Sequence, residues 1–253
     1  MAAVSAPSPT VETRESVVFV LVGRWASDPD YDGPLRLPDG RAFIYEGHSL
    51  GFVFGTQNYV FTCAHTIEDR EPLDVLVVQR ASEGRLRPID GLMWDRGVDV
   101  ALLHTPLPFS VPPLAARRGH RVSLGEEAHF YTPMVRLREN GRVFGMSLCL
   151  RRSIISSIQD RSMEPATAGR LMEVVIDAIV PRGSSGSPLI CSHGLLGGMV
   201  FGEEMRPETG WVVPAGLGWA LPAGAVFEAG DFFAKHNDLQ DLQKAISSSA
   251  DDG

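Results

Sequence analysis

The chain has 253 residues, of which 44% are hydrophobic and 21% are charged, a composition that excludes a largely disordered protein. Its formal net charge of -8 argues against a nucleic-acid-binding protein, because such a protein needs a basic surface to neutralise phosphates. No apolar run approaches the roughly 20 residues of a membrane-spanning helix, so we expect no membrane partner.

The N-terminal segment, residues 1–15, contains proline, serine and acidic residues and predicts a flexible leader. The first apolar run, Val17 to Val22, is shorter than the core of a signal peptide. It is followed by Gly-Arg-Trp rather than by the small residues of a cleavage site. We therefore interpret this run as the first β-strand and expect a cytoplasmic protein.

The chain contains three cysteines, Cys63, Cys149 and Cys191, whose spacing matches neither a disulfide framework nor a zinc motif. Sparse, unpaired cysteines are usually buried free thiols in a reducing compartment. We therefore expect no metal and no other cofactor.

From residue 17 to about residue 221, short apolar runs alternate with Gly, Pro, Asp and Asn, which is typical of many β-strands. This spacing favours barrels or sandwiches over alternating strand–helix units. The segment 106–119 contains four prolines and predicts a connection, with a junction between two barrels near residues 106–120. The clearest predicted strands are 41–47, 50–56, 59–64, 73–79, 98–105, 142–150, 171–180, 188–192, 195–202 and 216–222.

After Pro222 the apolar residues recur at helical spacing, which predicts one or two helices and then a fraying tail. We find no internal repeat and no second domain with its own core. The predicted boundaries are therefore 1–15 for the leader, 16–235 for a single domain, and 236–253 for a C-terminal helix and tail.

The strongest chemical signal is the segment PRGSSGSPLI, residues 181–190. Its glycines allow a sharp turn, so that the backbone N–H groups of Gly183 and Ser185 would point to one spot beside the Ser185 hydroxyl. Two such donors would stabilise the oxyanion of an acyl-transfer intermediate. Ser187 is a second candidate nucleophile, and we prefer Ser185 because its own N–H would complete this pair. A Gly/Ser turn before a strand is common, so the assignment depends on partner residues.

A serine hydroxyl needs a base to remove its proton, and His65 directly follows an apolar strand. Asp99 begins another apolar run, where a buried carboxylate is costly unless it is paired. Accepting a hydrogen bond from the histidine would satisfy this carboxylate and fix the useful tautomer. Asp90 and Asp95 are nearby alternatives, but neither leads into such a run.

Three segments, in the order His65, Asp99, Ser185, resemble the trypsin-like serine peptidases. The family's Thr-Ala-Ala-His segment is similar to Thr62-Cys63-Ala64-His65 of this chain. The family's Asp-[Ile/Val]-Ala-Leu-Leu strand is similar to the run DVALL at 99–103. GSSGSP at 183–188 matches Gly-x-Ser-Gly-x-Pro, and GLGWALP at 216–222 resembles a strand of the HtrA/Deg-like branch. The resemblance covers residues 17–235, and no PDZ-like domain follows it.

The resemblance implies an all-β fold of two six-stranded antiparallel β-barrels, followed by one or two C-terminal helices. It implies a serine endopeptidase that works through an acyl-enzyme. Ser185 would be the nucleophile, His65 the general base and Asp99 the residue that orients it, with the oxyanion hole at Gly183 and Ser185.

The resemblance also suggests how a polypeptide substrate would bind. Val200, Phe201 and Gly202 occupy the position of the substrate-pairing strand, with Phe201 on the pocket floor and the Gly202 backbone pairing with substrate. Ile179 and Val180 would line the pocket, and the lack of an acid there predicts cleavage after an apolar residue.

Regulation is expected to come from another protein. Ser184 stands where digestive and clotting relatives carry an aspartate that captures a newly cut N-terminus, so activation by that ion pair is not expected. An activating or inhibitory partner would take its place. The alternative function is a catalytically silent binding or scaffold module on the same fold, and a third reading is acyl transfer on a small ester or amide.

Overall fold

The computed structural model describes the chain in several stretches, to which the structural statements below apply. These are residues 11–27, 35–36, 40–54, 57–68, 70–78, 86–110, 114–116, 120–137, 143–160, 172–191, 194–208 and 211–248.

The first half of the chain forms one antiparallel sheet of eight strands, in the order β6-β5-β1-β3-β4-β8-β7, with β2 paired to β3. A one-turn helix, α1 (Val11–Glu15), precedes the sheet. The strands are β1 (Val17–Trp25), β2 (Leu35–Arg36), β3 (Ala42–Val53), β4 (Tyr59–Thr62), β5 (Val75–Val78), β6 (Leu86–Pro88), β7 (Gly91–Asp95) and β8 (Val100–His104).

The second half forms a closed antiparallel barrel of six strands, in the order β10-β11-β14-β13-β12-β9. Two helices follow the barrel, α2 (Ala223–His236) and α3 (Gln240–Ser248). The barrel strands are β9 (Glu127–Leu137), β10 (Val143–Asp160), β11 (Met172–Ile176), β12 (Pro188–Cys191), β13 (Leu196–Glu208) and β14 (Trp211–Pro222).

The predicted all-β fold with C-terminal helices is therefore confirmed, as is one six-stranded barrel. The predicted six-stranded barrel in the first half is not confirmed, since the described strands of this half form an eight-stranded sheet that ends at β6 and β7. The strands predicted from the sequence did not include the short strands β2, β6 and β7. These strands extend the sheet at its edges, where little apolar periodicity is needed.

One apolar core joins the two halves and the helices. It contains Phe61 from the sheet, Met199 from the barrel, Phe227 from α2 and Ile246 from α3, each almost completely buried. The predicted boundary at residue 235 lies within α2, and α3 belongs to the same core as the barrel. Burying these side chains contributes roughly 1.5–3 kcal/mol each, so the helices stabilise the interface between sheet and barrel.

The predicted flexible leader, residues 1–15, is too long at its C-terminal end. Residues 1–10 lie outside the described residues, but Val11–Glu15 form a helical turn. Thr13 is 8% exposed, and its hydroxyl is hydrogen-bonded to the Tyr131 hydroxyl of β9 at 3.0 Å. The turn is therefore attached to the barrel.

The predicted connection between the halves contains no strand in its described parts, 106–110 and 114–116. The Leu114 N–H donates to the Val53 carbonyl in the sheet, and the Leu196 N–H of the barrel donates to the Ala115 carbonyl. Backbone hydrogen bonds thus attach this segment to both halves. None of the helices in the described part of the chain is long and apolar enough to cross a membrane.

Candidate active site

His65 lies in a short 3-10 turn, Ala64–Thr66, directly after β4. Its side chain is 45% exposed, at the face where the sheet meets the barrel loops. The backbone N–H of His65 donates to Asp99 Oδ1 at 2.9 Å, and the ring Nδ1 lies 2.8 Å from Asp99 Oδ2. An ionised carboxylate only accepts hydrogen bonds, so the ring proton resides on Nδ1 and Nε2 is left as an acceptor.

Asp99 directly precedes β8 and has a φ of 61°. This left-handed conformation is rare for residues other than glycine, and Asp and Asn tolerate it best. The conformation lets the Asp99 carbonyl accept from the Ala64 N–H at 3.3 Å while the carboxylate reaches His65. Backbone geometry therefore positions this side chain, which is 13% exposed.

The segment before β12 consists of two consecutive turns. The Ser184 N–H donates to the Pro181 carbonyl, and the Ser187 N–H donates to the Ser184 carbonyl. The third residue of each turn is a glycine with a φ of 85°, which is the type II arrangement. At Gly186 a side chain has no room, because a Cβ would overlap the Leu50 carbonyl. The sequence GSSGSP is thus needed for this backbone.

Ser185 is held between the sheet and the barrel. Its carbonyl accepts from the Leu50 N–H of β3 at 2.8 Å, while the neighbouring Gly186 N–H donates to the Val200 carbonyl of β13 at 2.8 Å. Its hydroxyl lies 3.2 Å from His65 Nε2 and 3.2 Å from the Phe201 carbonyl. The single hydroxyl proton therefore has two acceptors, and one of them is a base.

The other two serines of this segment have different surroundings. The Ser187 hydroxyl is buried and accepts from the Tyr131 N–H at 2.8 Å. The Ser184 hydroxyl is also buried and has no hydrogen-bond partner among the described residues. Neither contacts His65, so the geometry favours Ser185 over Ser187, the alternative that the sequence left open.

Replacing Ser187 by alanine is expected to lower the free energy of unfolding by about 1–3 kcal/mol, because the buried Tyr131 N–H would lose its acceptor. Ser184→Ala is the matched control and should leave the unfolding free energy unchanged or raised, since that hydroxyl has no partner to lose. Urea denaturation followed by fluorescence measures both. Equal losses in the two variants would contradict the assigned hydrogen bond.

Phe201 occupies a β-bulge in β13. Val200 pairs with Ala220 and Gly202 pairs with Trp219, so Phe201 has no opposite residue on β14. Bulges turn the backbone away from regular pairing. Here the bulge turns the Phe201 carbonyl toward the Ser185 hydroxyl.

The residues predicted to bind substrate differ in exposure. Val200 is fully buried and Val180 is 5% exposed, whereas Ile179 is 57% exposed. Phe201 and Gly202 are partly buried, and a Cβ at Gly202 would meet nothing within 4 Å, so the surface above this residue is open.

The sequence analysis missed Gly218 of β14. A Cβ at this position would overlap Val180 Cγ2 and would lie 3.0 Å from Ile176 Cγ1. Gly218 and Val180 therefore pack together beside the predicted pocket. The only sign of a special role for Gly218 in the sequence was the pair of glycines in GLGWALP, residues 216–222.

His48 was not among the predicted site residues, but it lies beside Gly183. A Cβ at Gly183 would come within 2.5 Å of His48 Nε2. The His48 Nδ1 is hydrogen-bonded to the Tyr45 hydroxyl, and burial lowers the pKa of this histidine. A neutral imidazole therefore borders the turn that precedes Ser185.

His65 has the opposite shift. Its hydrogen bond to Asp99 raises the pKa of the imidazole, against the smaller opposing effect of burial. The charges of Asp99 and Glu68 act in the same direction as the hydrogen bond. The ring is therefore a stronger base than an isolated histidine, and it faces a serine hydroxyl.

Comparisons with known proteins bear on the family and the fold of the chain. A family model described as trypsin-like peptidase domain matches residues 50–199, more than half of the chain. The chain is similar in structure to the Rv3671c protease of M. tuberculosis in its active form, with 21% identity, a TM-score of 0.57, and coverage of 89% of this chain and 88% of that one. A serine-to-alanine mutant of Rv3671c in an inactive form gives 22% identity, a TM-score of 0.56, and coverage of 91% and 96%. None of the curated proteins matches the chain.

Proposed function

The chain belongs to the trypsin-like peptidase family, which supports a serine protease, and we propose that it is an endopeptidase with Ser185 as its nucleophile. The observation that carries this proposal is the continuous contact from Asp99 through His65 to Ser185, with distances of 2.8 and 3.2 Å.

In the proposed mechanism, Ser185 Oγ attacks the carbonyl carbon of the peptide bond while His65 Nε2 takes the hydroxyl proton. The Asp99 carboxylate accepts a hydrogen bond from the Nδ1–H of His65 and stabilises the imidazolium that forms. His65 then returns the proton to the leaving amine, and an acyl-enzyme on Ser185 remains. A water molecule deprotonated by His65 hydrolyses this ester and restores the hydroxyl.

We assign the oxyanion hole to the N–H groups of Gly183 and Ser185. The turn that holds Gly183 supports this assignment, because a type II turn with φ of 85° at Gly183 orients the Arg182–Gly183 peptide differently from a type I turn. Two backbone donors at this position would stabilise the tetrahedral intermediate without rearrangement of the protein.

We propose that a polypeptide substrate adds as a strand along Val200, Phe201 and Gly202. The open surface above Gly202 and the position of the Phe201 carbonyl, 3.2 Å from the Ser185 hydroxyl, support this path. The side chain before the cut bond would meet Val180 and Gly218, both without charge. Cleavage after a small or medium apolar residue is therefore the expected specificity, and Ile179 contributes at the exposed rim.

Digestion of a peptide library, with cleavage sites identified by mass spectrometry, tests this function. Cleavage after apolar residues is expected, and Val180→Gly should move the preference toward larger apolar side chains because it enlarges the space at Gly218. Ser185→Ala serves as the control for contaminating proteases. Cleavage after Lys or Arg would contradict the assigned pocket.

The pH dependence follows from the raised pKa of His65. Catalysis needs the neutral imidazole, so kcat/KM should be low at acid pH and rise through a midpoint above the ordinary histidine pKa of about 6.5. In Asp99→Asn the midpoint should move to lower pH, since the main cause of the shift is removed. A pH profile of kcat/KM for both proteins measures this, and an unchanged midpoint would contradict the assigned pair.

The alternative, a catalytically silent binding module, predicts no cleavage of any peptide in the library. The described geometry does not favour it, because the base, its orienting carboxylate and the hydroxyl are in contact. Control by a partner protein and a cytoplasmic location stay predictions from the sequence.

A further inference from the structure

A group of three side chains outside the active site has the composition of a metal centre. His120, Glu126 and Cys191 each offer one ligand atom, and these atoms all lie within 4.8 Å of one another. His120 belongs to the segment before β9, Glu126 directly precedes β9, and Cys191 is the last residue of β12. The segment before β9 and the end of β12 therefore meet at one end of the barrel.

In this group Cys191 is buried, whereas His120 and Glu126 are partly exposed. Cys191 is 2% exposed, and a Cβ at Gly197 would overlap its Sγ, so the absence of a side chain at Gly197 makes room for the thiol. His120 Nε2 is buried and has no hydrogen-bond partner among the described residues. A buried ring nitrogen without a partner is costly. A cation bound between the three side chains would remove that cost.

The local backbone positions Glu126. Glu126 Oε2 accepts from the Ser123 N–H at 2.9 Å, and the Glu126 N–H donates to the Ser123 carbonyl at 3.1 Å. One carboxylate oxygen is thereby fixed in the turn that leads into β9. A carboxylate held in this way loses less conformational freedom when it binds a metal.

The donor set selects the metal. One sulfur, one imidazole nitrogen and one carboxylate oxygen suit Zn²⁺, whereas Mg²⁺ and Ca²⁺ prefer oxygen alone. Around tetrahedral zinc, with bonds of about 2.0–2.3 Å, neighbouring ligand atoms lie roughly 3.3–3.8 Å apart. The three ligand atoms lie within 4.8 Å of one another, so binding would require side-chain rotations that shorten these distances, and water would supply the fourth ligand.

We propose that His120, Glu126 and Cys191 bind one Zn²⁺ ion that ties the β12–β13 hairpin to the segment preceding β9. The proposal differs from the sequence expectation of no metal, because Cys191 is far along the chain from His120 and Glu126 and the three residues form no zinc motif. It is independent of the proposed peptidase activity. β12 begins where the Ser185 segment ends and is only four residues long, and Cys191 is its last residue. The ion would therefore also anchor the far end of that strand.

Metal titration of the full-length chain tests the proposal, with the His65→Ala/Ser185→Ala variant as background. Cys63, His65 and Asp99 form a second group with ligand atoms within 4.8 Å, and the background removes its histidine as well as any self-cleavage. We expect one equivalent of Co²⁺, used as a spectroscopic probe, with a thiolate-to-metal charge-transfer band. Zn²⁺ should displace it.

In that background, Cys191→Ala should abolish the charge-transfer band, and His120→Ala should weaken Zn²⁺ binding by more than about 100-fold, the upper range for losses at supporting residues. Cys149→Ala is the matched control and should bind normally, because Cys149 lies on β10 and is not in the group. Circular dichroism verifies that each variant is folded. Zn²⁺ should raise Tm in the background protein but not in His120→Ala.

Three results would overturn the proposal. They are a background protein that takes up no metal at micromolar Co²⁺, a charge-transfer band that survives in Cys191→Ala, and equal losses of binding in Cys149→Ala and Cys191→Ala. His120→Ala keeps the test valid if Cys191→Ala does not fold, since His120 lies outside the strands.

Discussion

Replacing Ser185 by alanine is expected to lower kcat/KM for a peptide substrate by roughly 10⁴-fold to 10⁶-fold. The variant removes the only hydroxyl of the segment that faces His65 Nε2. His65→Ala should give a loss of similar size, and the double variant should be no worse than either single one. The effects on kcat/KM of replacing residues that act in one proton transfer are not additive, because the first replacement already removes the step.

Ser184→Ala is the matched control for this kinetic experiment. It makes the same chemical change one residue away, at a buried hydroxyl without a partner among the described residues, and should change kcat/KM by less than about threefold. A loss below tenfold in Ser185→Ala, together with a large loss in Ser187→Ala, would mean that the wrong serine has been assigned.

Replacing Asp99 by asparagine is expected to lower kcat/KM by about 10⁴-fold while the protein stays folded. Asparagine adopts positive φ as readily as aspartate, so the backbone at 61° is preserved. The amide can no longer stabilise an imidazolium, and its NH₂ group favours the tautomer with the proton on Nε2. That tautomer cannot accept the Ser185 proton.

Asp95→Asn provides the control and also tests an alternative left open by the sequence. Asp95 Oδ1 accepts from the Gly97 N–H at 2.8 Å and the Val98 N–H at 3.3 Å, so this aspartate organises the turn before Asp99. An asparagine oxygen can accept the same bonds, and kcat/KM should change by no more than a few-fold. A larger loss in Asp95→Asn than in Asp99→Asn would contradict the assignment.

The convergence of Asp99, His65 and Ser185 could be anticipated from the sequence because each lies in a segment with its own constraint. The GSSGSP segment needs glycine where φ is positive, and a carboxylate at the head of an apolar strand needs a partner. Each constraint alone was weak, and the resemblance of the three segments, in this chain order, to the trypsin-like family joined them into one predicted site. The sequence favoured Ser185 over Ser187, and the surroundings of the two hydroxyls, which distinguish them physically, became visible in the structure.

Other features were hidden because they depend on contacts between distant residues. β9 was not among the predicted strands, since its sequence EAHFYTPMVRL mixes polar residues with a proline. The burial of Thr13 against Tyr131 joins positions 118 residues apart, and local composition gave no sign of it. The group of His120, Glu126 and Cys191 was missed for the same reason.

Labelling with a fluorophosphonate probe tests the central claim most directly, because the probe reacts only with an activated serine. The wild-type protein should be labelled, as should Ser184→Ala and Ser187→Ala, and Ser185→Ala should not. Peptide mapping should place the adduct on Ser185. A folded wild-type protein that is not labelled, or a Ser185→Ala variant that still is, would contradict the assignment of Ser185 as an activated nucleophile.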